Sequence, residues 1–267
     1  MIRLLQIDLL KMRRYKTFWI LIILYFATLG LVTSSGMEFL KWLASKGADF
    51  DRVDILRVPL YHFPDIWQNL TYVSTYFQLV LAVVVVVAVT NEFSYKTIRQ
   101  NIIDGIDRKD FLLSKVLFIA LLALSATLFV FLIGIVTGSI YSPASEMRFM
   151  FRTIEFIPGF FLATFSYLLL VLLLSVMIKR AGLALGITII YPALEYTLTA
   201  SLPDVLDPAD DFFPLHAINN LIHVPFQRYI FLEIQDYVSL TSSLVAIAYC
   251  FVFIYLSYQI LSKRDLN

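Results

Sequence analysis

Between Val116 and Ile140 the chain carries no charged side chain. A helix of about 20 apolar residues spans the hydrocarbon core of a bilayer, and this run is longer than that. Five further stretches behave alike: Phe18–Val32 with its flanks, Leu70–Thr90, Phe156–Ile178, Ala181–Leu202 and Val238–Leu261. In lipid every backbone N–H and C=O must be satisfied within the segment, so each stretch is read as a helix. The bulk numbers agree: 60% hydrophobic and 15% charged residues, where soluble domains run nearer half and a quarter. The expectation is an all-α integral membrane protein with six spans in one transmembrane domain, residues 1–267.

Basic residues orient it. With the N-terminus, the segment between spans two and three, Lys179-Arg180 and Lys263-Arg264 on one side, that side holds fourteen Lys and Arg and the other seven. The positive-inside rule then places both termini in the cytoplasm. Met1–Lys16 has five cations against the single acid Asp8, with Ile2, Leu5, Leu9 and Met12 in one helical stripe. It reads as an interfacial helix on anionic lipid or, more plainly, as a charged flank that only sets topology. Small residues at Ser34-Ser35-Gly36 could serve signal cleavage, but the later spans need a cytoplasmic start, which favours an uncleaved anchor.

The polar island Asn91–Lys115, too charged for lipid, joins spans two and three. It reads as two helical pieces. The first continues span two through Ile103 and stops at Gly105, a residue suited to a left-handed turn. Asp107 offers a capping side chain for the second, and Asp110 sits near its positive dipole end.

On the outer side, Met37, Phe39, Leu40, Leu43 and Ala44 make one face of a short interfacial helix that Gly47 would stop. Asp65 can cap span two. The triplet Asn69-Leu70-Thr71 matches a glycosylation site but abuts the span, and three residues match easily by chance, so it is set aside. Residues 201–237 are acidic at their ends, yet FFPLHAINNLIHVPFQRYIFL is too apolar for a free loop and too broken for a span. A re-entrant or interfacial pair of short helices fits.

Few polar groups lie inside the spans. Glu195 is the acid within an apolar run, flanked by Tyr191, Pro192 and Tyr196; it lines a pathway or gate, or merely meets water in the outer third of its span. Gln78 is a weaker pathway candidate, with an interhelical hydrogen bond as the plainer reading. Gly134-x-x-x-Gly138 and Gly182-x-x-x-Gly186 mark close helix contacts, within the chain or at a dimer seam. Pro192 should kink span five.

Several classes are excluded. The lone Cys250 precludes an intrachain disulfide, and His62, His216 and His223 are too scattered for a zinc site. The outer aspartates lack calcium-loop spacing. There is no H-E-x-x-H pair for an intramembrane protease, and no nucleotide-binding loop of the form G-x-x-x-x-G-K-[ST]. If ATP drives this protein, another polypeptide binds it.

The run Asn91-Glu92-Phe93-Ser94-Tyr95-Lys96-Thr97-Ile98-Arg99-Gln100-Asn101-Ile102-Ile103-Asp104-Gly105, continuing as Arg108, Phe111 and Lys115, resembles the signature of ABC-2-type permeases. These are the membrane subunits of ATP-binding-cassette transporters, mostly exporters. The motif covers about 25 residues; the layout of spans and termini covers the whole chain. Asp107 stands where a small hydroxyl residue often precedes the Arg. The resemblance implies that Met1–Lys16 is a connecting helix. It makes 91–115 the coupling region, with Glu92, Thr97, Arg99, Gly105 and Arg108 its working residues, and Phe212–Leu232 an outer element near the gate. It implies no cofactor in this chain, ATP and Mg held by a separate ATPase subunit, and a second permease subunit, homo- or heterodimeric. The setting would be the inner (cytoplasmic) membrane, with no nucleic acid involved. Against this stand two plainer readings: a solvated loop whose charges only set topology, and a non-transporting scaffold or sensor tied to an ABC-like ATPase. Nothing in the sequence names a substrate.

Overall fold

The computed structural model describes residues 2–46, 59–95, 97–103, 105, 107–201, 210–226 and 235–263. Those residues form helices and connecting turns: α1 (Ile2–Arg13), α2 (Lys16–Ser45), α3 (Ile66–Thr75), α4 (Gln78–Ser94), α5 (Thr97–Ile103), α6 (Arg108–Tyr141), α7 (Phe156–Ile178), α8 (Ala181–Thr199), α9 (Pro214–Asn219) and α10 (Leu240–Lys263). Among the described residues five helices are long and apolar enough to cross a membrane, or six if the bent pair α3–α4 counts as one span.

The helices pack around α7, which touches α3, α4, α6, α8, α9 and α10. Its most apolar window is 61% buried, whereas those of α2 and α8 are 17% buried each. Leu168, Leu169, Val171, Leu172 and Val176 fill the centre of the bundle.

Three expectations are corrected. Span two is not one straight helix: α3 and α4 meet at 44°, although no proline lies there. Hydroxyls that bond back onto their own helix cluster at the bend. Thr71 donates to Trp67 O, Ser74 to Leu70 O and Thr75 to Tyr72 O, and Tyr76 N and Phe77 N fall back on carbonyls three residues earlier. Such back-bonding loosens the i→i−4 ladder and bends helices. Asp65 stands at the N-cap of α3 but makes no side-chain cap bond.

The outer interfacial helix at Met37–Ala44 is instead the last part of α2, a single helix of 30 residues. Ser34 and Ser35 bury their hydroxyl demand in the helix itself, on Gly30 O and Leu31 O, and Gly36 makes room for the Tyr61 hydroxyl. The proposed stop at Gly47 lies outside the described residues.

At the elbow, α4 ends at Ser94 and α5 is a separate helix, while the second elbow piece is simply the start of α6. Gly105 has φ +90 as the turn requires. Asp107 is extended at the N-cap position of α6, without a side-chain cap bond. Elsewhere α8 continues through Pro192. Asn69 is buried, its amide donating to Leu60 O.

Of the outer segment, α9 is described, opened by Pro214 and burying Leu215, Ala217 and Ile218. It packs on α7 and α10. Residues 202–209 and 227–234, part of the expected re-entrant element, lie outside the described residues.

Candidate functional site

Where α4 ends and α6 begins, four charged side chains converge below the apolar spans. Lys115 Nζ donates to Asp8 Oδ1 at 2.9 Å and to Glu92 Oε1 at 3.1 Å. Lys11 Nζ reaches the same Glu92 oxygen at 3.3 Å. Ser114 Oγ donates to Asp8 Oδ2 at 2.9 Å, and the Thr97 hydroxyl donates to Glu92 Oε2. Two acids and two lysines balance. The inner members are deeply buried, Lys115 at 2% exposure and Glu92 at 4%, while Lys11 stays open at the edge.

Local structure explains the convergence. Asp8 and Lys11 lie three apart on α1, hence on one face. Ser114 and Lys115 are adjacent on α6, and Thr97 begins α5 just past the break after Ser94. A buried ion costs several kcal/mol unless paired and hydrogen-bonded; here each carboxylate holds both a lysine and a hydroxyl. The lattice ties four elements, α1, α4, α5 and α6, into one corner. From it α5 projects with Ile98 buried and Ile103 exposed.

Of the residues singled out in the sequence, Glu92 and Thr97 belong to this lattice. Gly105 forms the turn beside it, with nothing within 4 Å of its Cβ position. Arg108 faces elsewhere: its Nη1 donates to Leu261 O at 2.8 Å and Ser262 O at 2.6 Å, closing the end of α10. Arg99 lies in α5, its side chain outside the described residues. Sequence reasoning missed Asp8, Lys11 and Ser114 as lattice members. The available signal was Asp8 itself, one acid amid five cations.

On the opposite end of the bundle, Glu195 is 3% exposed. Its Oε1 accepts Leu215 N at 2.7 Å, His216 N at 2.9 Å and His216 Nδ1 at 3.2 Å. It therefore holds the first turn of α9 against α8, and Tyr249 donates to Phe212 O from α10. Gln78, first residue of α4, donates to Thr164 Oγ1 at 2.9 Å. Beside it opens a cleft of about 480 Å³ lined by Tyr72, Tyr76, Tyr167, Thr188, Pro192 and His223, among others. Gln78 thus lines this cleft while making its interhelical bond.

The glycine pairs part company. A Cβ on Gly134 would lie 2.6 Å from the Trp67 ring, and one on Gly138 would strike Phe63; this pair seats α3 against α6. Gly182 and Gly186 meet nothing within 4 Å, so the expected close contact at that pair is absent from the described residues of this chain.

The profile of a family described as "ABC-2 family transporter protein" matches residues 4–195, well over half of the chain. The chain belongs to the ABC-2 transporter family. No curated protein matches it. The family match runs from α1 to Glu195 on α8 and so contains every residue of the charge lattice. As an ABC-2 transporter family protein with several apolar helices, it is a multi-pass membrane protein. ABC-2 permeases generally work with an ABC ATPase.

Proposed function

We propose that this ABC-2 protein is the permease subunit of an ATP-driven transporter, exporting its cargo across the cytoplasmic membrane with energy from a separate ATPase chain. Both termini and the elbow 91–115 face the cytoplasm in this reading. The observation that carries it is the buried lattice Asp8–Lys115–Glu92–Lys11, which joins the projecting α5 to the ends of α4 and α6. A push on α5 then reaches two spans through charged contacts that cannot stretch cheaply, since separating buried ions exposes each to an unpaired state. Exposed Ile103 supplies the apolar point of the docking surface.

The cleft beside Gln78 is the proposed cargo path, at the bend that divides α3 from α4. Glu195, by holding α9 over α8, gates its outer end. The open glycine face of α8 is proposed as the seat of a second permease subunit, since small residues let helices approach closely in lipid.

The test is co-expression with each ABC ATPase encoded beside it, followed by affinity purification. The ATPase should copurify, and Ile103→Asp should reduce its recovery while Phe212→Asp, on the other end of the bundle, leaves it unchanged. Labelling of a Gln100→Cys chain by an impermeant maleimide from outside intact cells would sink the orientation and with it the reading.

A further inference from the structure

Beside the charge lattice lies a second hollow, of about 260 Å³, between the α1–α2 corner and the inner half of α4. Its walls are Met12, Phe18 and Leu21 on one side and Val84, Val87 and Ala88 on the other. Its polar residues collect at one end: Lys11, Tyr15, Asn91, Glu92, Tyr95 and Thr97. From Val84 to Asn91 is seven helical residues, so the hollow runs about 10 Å along α4. Tyr15 and Tyr95 meet hydroxyl to hydroxyl at 3.3 Å across the polar end.

Three features identify an occupant. First, α2 supplies part of the hollow's wall, and its Ile20, Ile23 and Leu24 are exposed. The hollow can be filled by water or by hydrocarbon, and a wall of Val, Leu, Phe and Met offers water none of the two to four polar partners it needs. Second, the polar end carries a part-exposed ammonium: the Lys11 side chain is 38% exposed and pairs with Glu92, where an ammonium has three donors. Third, the two lysines of the lattice balance its two acids, and Arg13, Arg14 and Lys16 follow, exposed, around the corner. The charge left to an approaching headgroup is positive.

We propose that this hollow is a binding site for an anionic phospholipid, with one acyl chain between α2 and α4 and the headgroup phosphate on Lys11 and the basic corner. The phosphate then shares Lys11 with Glu92, so the lipid touches the charge lattice directly. The site needs no ATPase and stands or falls independently of the transport reading.

The test is native mass spectrometry of the full chain extracted from vesicles of equimolar phosphatidylglycerol and phosphatidylcholine. The unsubstituted chain should retain phosphatidylglycerol over phosphatidylcholine by about five-fold or more, the preference that one basic contact near a membrane surface supplies. Val87→Trp should lose the retained lipid, and Lys11→Gln should keep lipid but lose most of the preference. Ile23→Trp, on the open face of α2, should match the unsubstituted chain, and thermal melts check that each variant is folded. Equal retention of the two lipids by the unsubstituted chain, or full retention by a folded Val87→Trp, overturns the proposal. So does ready disulfide dimerisation of Val87→Cys, which would give the hollow to a second copy.

Discussion

Lys115 Nζ sits 2.9 Å from Asp8 Oδ1, although the two residues are 107 positions apart in the chain. Both are almost fully withdrawn from solvent. Removing the lysine strands the Asp8 carboxylate in a buried corner and leaves Glu92 with Lys11 alone as its cation. Lys115→Met should therefore destabilise the protein by about 3–5 kcal/mol, seen as a lowered melting temperature in detergent. Adding Asp8→Asn should recover part of the loss; no recovery would mean that the pair is not energetically coupled.

The two glycine pairs should respond in opposite ways. Gly134→Ala and Gly138→Ala push a methyl into Trp67 and Phe63, and overpacking of this kind costs about 1–3 kcal/mol. Gly182→Ala and Gly186→Ala meet open space and should leave the monomer's melting temperature unchanged or higher. Gly182→Leu tests the proposed seam: self-association measured by crosslinking should fall.

Arg108 closes the end of α10 with two bonds to backbone carbonyls. Charge-assisted bonds of this kind are each worth about 1.5–3 kcal/mol when broken. Arg108→Gln should fray the last turn of α10, read as faster amide exchange at Leu261–Lys263, with α7 unaffected. Unchanged exchange would place the arginine's worth elsewhere.

His223, in the outer segment and lining the larger cleft, is held below its ordinary pKa by burial, which outweighs the opposing pull of Asp211. The folded state thus prefers the neutral ring. The associated stability is complete above about pH 6.5, the ordinary value, and is lost as pH falls from there through the folded pKa. His223→Gln should flatten that part of the melting profile; an acid slope that survives the substitution assigns it to another group.

The spans were legible because hydropathy reads straight from composition: Val116–Ile140 and Phe156–Ile178 sit inside α6 and coincide with α7. The bend after Thr75 was not, because Ser and Thr cost little in a hydropathy window and reveal their back-bonding only in three dimensions. Met37–Ala44 reads in the sequence as a separate interfacial helix, but span one runs on into it, and Gly36 leaves the space that the Tyr61 hydroxyl takes. At the elbow, Glu92 and Thr97 stood out by their motif, and their meeting with each other is local. Asp8 and Lys11 join them only through the packing of α1 on α6, a long-range choice that no pattern within α1 announces.

The contrast between α7 and its flanks has a mechanical consequence. A helix sheathed on most sides can shift only by breaking many packed interfaces together, and close-packed interiors resist that. α7 is such a helix, and α2 and α8 are the least enclosed of the long helices. Any relative movement of the helices is therefore expected to cost least at α2 and α8 and most at α7.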